Sequence, residues 1–313
     1  MTDARRDIDG IVLLDKPGGL TSNRAMQAVK RLFRACKAGH TGSLDPLATG
    51  LLPICLGQAT KVSGYLLDAD KRYRVTASLG ARTDTGDADG EIVETAPAGH
   101  VTADRLESAL VKFRGEIRQV PPMYSALKHA GKRMYELARQ NIEVERKARS
   151  VRIHCLELDS CADSVMVLEV TCSKGTYIRS LVEDIAAETD TLAHVTGLRR
   201  LGAGPYDAEQ MVTLETLRSL AAQGDEALDG VLLAADSALQ RWPAVCIDAD
   251  RAHRLMQGGT VAVDDERAGL VRVYADERQF LGIGELAAGG RLAPRRLFVD
   301  SGAGSLFRGS PNR

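Results

Sequence analysis

Two periods of apolar and polar positions alternate along this chain, and the switches between them divide it into elements. The run Ile11 to Leu14 is continuously apolar and ends in Pro-Gly-Gly, which predicts a short buried strand and a turn. Thr21 or Ser22 can then cap a helix in which Ala25, Met26, Val29, Leu32 and Phe33 recur at helical spacing. "GLLPICLG" is strand-like, with Pro53 expected to confine it to an edge or a strand start. "ATKVSGYLL" predicts a short helix. "KRYRVTASLG" alternates as a strand and places Tyr73 on one face with Lys71 and Val75. "TADRLESALVKF" is an amphipathic helix capped by Thr102. "SVRIHCLELDS" and "SVMVLEVTCS" are two strands, "KGT" a turn, and "YIRSLVEDIAAET" a helix with Ile178, Leu181, Val182 and Ile185 on one face. "VTGLRRLGAGPYD" closes this block. Strands and helices without strict alternation predict an α+β fold with a mixed sheet. After Trp242, short strand-like pieces separated by Gly and Asp turns predict a small β-rich module. The Gly/Ser-rich residues 301–313 read as a disordered tail.

Composition narrows the classes. Of 313 residues, 44% are hydrophobic and 27% charged, as in ordinary soluble globular proteins. Lys and Arg number 41 against 42 Asp and Glu, so any argument for a nucleic-acid partner must be local. No apolar run approaches ~18 residues and no apolar stretch follows the charged N-terminus. Neither a membrane span nor a secretory signal is expected, and a cytoplasmic location is. Six cysteines without a C-x-x-C pair read as reduced packing residues, and six scattered histidines supply no zinc spacing, so no metal is expected.

The local charge signal lies between Lys112 and Arg152. Eleven basic residues less four acidic ones leave +7 there, with Met123, Tyr124, Met134 and Tyr135 interleaved. That fits a groove that follows an RNA backbone and stacks bases. A solvated basic face over core tyrosines fits it equally. The segment Asp84 to Glu94 has the opposite balance, with five acids and no basic residue. It lacks the EF-hand spacing and reads as a polar surface loop.

The candidate chemistry centres on "AGHTGSLDPLATGLLPICLG", Ala38 to Gly57. Its four glycines surround one carboxylate, Asp45, and one imidazole, His40. A lone Asp before Pro can cap a turn, ligate a metal with partners this loop lacks, or serve as an exposed nucleophile or base. The loop is not a phosphate-binding P-loop, because no Gly-Lys-Ser/Thr follows. A carboxylate-pair glycosidase would need a second acid near Asp45, and no motif supplies one.

"GHTGSLDPLATGLLPICLGQATK" closely resembles the signature of the TruB-type tRNA pseudouridine synthases. "LLDKPGGLTS", "DKRYRVTASLGARTDTGDADG", "PPMYSALKHAGKRMYELAR", "CSKGTYIRSLVEDI" and "HVTGLRRL" resemble that family's other motifs, in the same order, over residues 10–210. The resemblance implies a mixed-sheet catalytic domain over residues 1–243, with residues 112–152 as a basic RNA-contacting insertion. A small PUA-like RNA-binding domain would follow over residues 244–300. It implies isomerisation of uridine 55 in the T arm of tRNA to pseudouridine, without cofactor or metal, by a chain expected to be monomeric. On this sequence Asp45 becomes the catalytic aspartate, with Arg179 its partner. His40, Tyr73, Tyr177 and Leu198 become uridine-site residues, and Tyr73 a candidate for taking the C5 proton. Arg179 would lower the Asp45 pKa and keep it ionised. Gly39 and Gly42 would let the loop approach RNA backbone. A non-catalytic RNA-folding protein on the same scaffold is the competing class.

Overall fold

The computed structural model describes residues 4–298 apart from 126, 130, 139, 141, 143, 277 and 278; the expected disordered tail lies outside the described residues. A ten-stranded mixed sheet forms the bulk of the chain. Its main path runs Val212–Thr213, Gly10–Lys16, Thr49–Leu56, Ala193–Ala203, Lys71–Leu79, Val165–Cys172, Arg149–Ala162 and Gly115–Gln119. Neighbours are antiparallel except at two joints, where Gly10–Lys16 meets Val212–Thr213 and where Thr49–Leu56 meets Ala193–Ala203. "VTGLRRL", to which the sequence reading assigned no element, is therefore a central strand.

Both faces of the sheet are covered, which is why Ile11 to Leu14 reads as a continuous apolar run. Val12, Leu14, Leu52, Ile54 and Val75 share one core cluster with Ala25, Val29, Leu106, Leu181 and Ile185 from the helices. Both predicted caps form: Thr21 accepts from Arg24 N–H and Thr102 from Arg105 N–H. On the other face, Ile11, Leu13, Leu51 and Cys55 pack with Tyr206, Leu239, Tyr274, Phe280, Ile283 and Phe298. The last four belong to the C-terminal part, where Ala244–Ile247, Gly269–Ala275, Gln279–Ala287, Arg291–Leu297 and Val261–Ala262 form a five-stranded sheet. One hydrophobic cluster thus joins the two sheets. Among the described residues, no helix is long and apolar enough to cross a membrane.

Pro53 departs from expectation, because its strand is interior. The Pro53 carbonyl accepts from Thr41 N–H, so its nitrogen faces the same edge, away from the Gly10–Lys16 strand. Along that edge the neighbour changes from Ala38–His40 to the Arg199 and Arg200 positions, and no ladder donor is required between them. Arg200 fills the gap. It is 1% exposed and donates to the carbonyls of Leu51 and Gly42 at 2.6 and 3.1 Å. The joint below is only two residue pairs long. Gly50 makes it possible: its φ is +96°, and a Cβ there would lie 2.3 Å from the Arg200 carbonyl oxygen. Behind the joint Arg199 grips Asp15 through both guanidinium nitrogens at 3.0 and 2.8 Å.

The shared cluster has a measurable consequence. Phe280 lies between Tyr274 and Phe298, with ring centroids 5.5 and 5.1 Å away. Phe280→Ala is expected to cost about 3–5 kcal/mol and to lower one common thermal transition. Far-UV circular dichroism and the fluorescence of the sole tryptophan, Trp242, should follow that transition together. Two separate transitions, with only the later-melting one unmoved, would show that the sheets fold independently.

Candidate functional site

Asp45 sits in the loop between the strands Ala38–His40 and Thr49–Leu56, and its neighbours are pinned individually. The buried Ser22 hydroxyl accepts from Leu44 N–H at 2.8 Å and lies 3.1 Å from the Leu44 carbonyl. On the other side, the Pro46 carbonyl accepts from Gly19 N–H at 2.8 Å and from the Lys16 ammonium at 3.3 Å. Lys16 also donates to Pro17 and Leu20 carbonyls, and its burial pulls its pKa down to about 8. The Lys-Pro-Gly-Gly turn therefore serves as a brace for the Asp-Pro turn.

Arg179 fixes the carboxylate itself. Its side chain is 6% exposed and projects from the first turn of the helix Ile178–Ala187. Nε lies 3.0 Å from Asp45 Oδ2 and Nη2 3.3 Å from Oδ1, the two-point grip expected of a planar guanidinium. Nη1 donates to the Thr85 carbonyl at 2.6 Å and Nη2 to the Tyr124 carbonyl at 2.8 Å. A second carboxylate shares the cation: Asp87 Oδ2 is 3.6 Å from Nη1 and nearly fully buried. The acidic segment read as a surface loop thus sends one residue inward. Asp87 is the second acid that no motif announced.

The expectation for the Asp45 pKa is overturned. Its side chain keeps 39% of its exposure, yet protein crowds the carboxylate. Burial raises the pKa above the ordinary carboxylate value and outweighs Arg179, with the Asp87 charge adding to the rise.

Tyr73 stands opposite Arg200 on adjacent strands. Burial raises the phenol pKa and outweighs the lowering by the Arg200 charge, so a resting phenolate is disfavoured. Leu198, paired with Val75, belongs to the core cluster that Tyr73 packs against. Gly42 has φ +80°, a left-handed backbone that favours glycine, with Arg200 Nη1 in ordinary contact at 3.4 Å from where a Cβ would lie. Tyr177 immediately precedes the Arg179 helix, and Gln119 holds its backbone from both sides, at 3.0 and 3.2 Å. His40 ends the short strand leading into the Asp45 loop.

The basic stretch is partly consumed by the fold. Lys112 pairs with Glu188, Arg114 donates to the Leu156 carbonyl, and Arg146 to that of Pro121. Met134 is buried, and the Tyr124 hydroxyl donates to Asp84. Arg118, Lys132 and Lys147 remain exposed. Among the described residues, no group of three or more His, Cys, Asp or Glu could hold a metal ion.

The chain matches known proteins over nearly its whole length. Residues 30–178 match the model of the TruB family pseudouridylate synthase N-terminal domain. Residues 179–240 match the tRNA pseudouridylate synthase B C-terminal domain, and residues 243–298 the pseudouridine synthase II TruB C-terminal model. A tRNA pseudouridine synthase B of Sodalis glossinidius is 54% identical over 301 residues, covering 94% of this chain and 96% of the relative. One from Nitrosococcus oceani is 52% identical, covering 95% and 97%. A crystal structure of a Cbf5-Nop10-Gar1 complex contains a chain with TM-score 0.71 and 25% identity, covering 93% of this chain and 84% of that one.

Asp87→Asn removes a negative charge beside Asp45 and should lower the Asp45 pKa. If the ionised carboxylate is the working form, turnover falls as pH drops through that pKa. The acid limb of the single-turnover rate should then lie above the ordinary aspartate value of about 3.9 in the wild type. It should shift to lower pH in the variant. A limb that stays in place or moves up would separate Asp87 from the titration.

Proposed function

Because this chain belongs to the TruB family of pseudouridylate synthases, we propose that it isomerises uridine 55 in the T arm of tRNA to pseudouridine. The observation that carries the reading is the Asp45 carboxylate held at two points by a buried Arg179. Tyr73 and Leu198 belong to the strands beside it. A uridine inside a folded arm must be extruded before any side chain reaches it. The C1′–N1 bond then breaks, the uracil turns, and C5 bonds to C1′. Attack on C1′, attack on C6 and stabilisation of a sugar cation share one requirement: an ionised, oriented carboxylate at the junction of sugar and base. Ser22, Lys16 and Arg179 supply the orientation.

Tyr73 presents its ring to the uracil and its hydroxyl to C5. Since its phenol is neutral at rest, its own proton must pass to water before the resulting phenolate can take the C5 proton. Tyr177 and His40 line the approach of the nucleotide. In this reading residues 1–243 form the catalytic unit, with exposed basic side chains within residues 112–152 on the RNA backbone. The five-stranded C-terminal part serves as a PUA-like RNA-binding unit. The reaction needs neither metal nor cofactor, and a tRNA substrate is consistent with a cytoplasmic location.

Incubation with unmodified tRNA followed by base-resolution mapping should show pseudouridine at position 55. Uridine unchanged there would end the proposal. Asp45→Asn should bind tRNA and form no product, and turnover within tenfold of wild type would remove Asp45 from the chemistry. Tyr73→Phe keeps the ring and deletes the hydroxyl. Its single-turnover rate should drop at least ~100-fold with affinity retained; a near-normal rate would leave Tyr73 with packing alone.

A further inference from the structure

We propose that Arg149 is a phosphate-binding residue of the uridine site, donating to a backbone phosphate oxygen of the bound RNA beside Tyr177. This rests on the reading of the chain as an RNA-modifying enzyme. Arg149 opens the strand Arg149–Ala162, directly opposite Gln119. The two cross-strand partners hold the same tyrosine in different ways. Gln119, 1% exposed, bonds the Tyr177 backbone on both sides. The Arg149 guanidinium carbon lies over the Tyr177 ring, 5.3 Å from its centroid. Tyr177 in turn stands two residues before Arg179.

The Arg149 guanidinium is incompletely satisfied. Its Nη2 is buried and, among the described residues, has no hydrogen-bond partner. Four other cations of the same basic stretch have theirs: Lys112 and Arg152 face carboxylates, and Arg114 and Arg146 face carbonyls. A buried donor without an acceptor carries the desolvation penalty of that group, so such a group calls for an explanation. Nη2 itself is closed to solvent, but the half-buried side chain keeps some exposure, and a ligand oxygen that draws the fork outward gives it an acceptor. The planar fork matches phosphate, and the charge match favours it over a neutral carbonyl or hydroxyl.

The test is equilibrium binding of a T-arm stem-loop RNA across a salt series, with thermal midpoints measured alongside. Arg149→Gln should weaken binding about tenfold and reduce the slope of log affinity against log salt by roughly 0.7–0.9, one phosphate contact. Arg149→Lys keeps the charge without the fork. It should retain the wild-type slope with affinity between the other two, and it carries the test if the Gln variant does not fold. Unchanged affinity, or weakened binding with an unchanged slope in the Gln variant, would overturn the proposal. Because binding is read separately from turnover, a wild-type chain that binds RNA but makes no pseudouridine would defeat the functional reading alone.

Discussion

The Arg179 guanidinium is the contact on which the site depends. It gathers the Asp45 carboxylate, the Asp87 carboxylate and the carbonyls of Thr85 and Tyr124, groups that come from three other segments of the chain. A buried cation with incomplete partners is costly, whereas one with several well-placed acceptors can persist in the interior. The two acids together outweigh the single positive charge. The cluster therefore stays electronegative, and burial can hold Asp45 above the usual carboxylate range even with an arginine in contact. The same arrangement orients a base and makes it somewhat stronger.

The remaining supports follow from where the sheet divides. One half carries Gly10–Lys16 and Thr49–Leu56, with Asp45 in the loop before the latter. The other half carries Tyr73 on Lys71–Leu79 and Leu198 on Ala193–Ala203. They meet through two residue pairs at Gly50, with Arg200 in front and the Arg199–Asp15 pair behind. Reactive groups from opposite halves can approach each other because the joint is short. Rigidity there comes from arginine side chains that take over the work of a missing stretch of ladder.

Much of this was legible in the sequence where the information is local. Apolar spacing and hydroxyl caps located the helices at Thr21 and Thr102, and the ordered motifs pointed to Asp45 and Arg179. What escaped depends on partners distant in sequence. Asp87 looks like one of several loop acids, and only Arg179, far along the chain, makes it an interior residue. Pro53 argues against an interior strand until its missing N–H is known to face the edge that Arg200 occupies. The pKa of Asp45 was misjudged because a neighbouring charge is visible in sequence and desolvation is not.

The position of Ala193–Ala203 has a further consequence, for synthesis. It inserts between Thr49–Leu56 and Lys71–Leu79, strands made much earlier. At about 5–20 residues per second, the roughly 120 residues separating Leu79 from Ala203 take about 6–25 s to emerge. Throughout that interval the two early strands have open edges, the kind of surface that pairs with other chains. The catalytic cleft is equally incomplete, since Arg179 and Leu198 are still unmade or inside the ribosome. The nascent protein therefore has no assembled site to offer RNA on the ribosome, and its greatest exposure to misassembly falls in the same window.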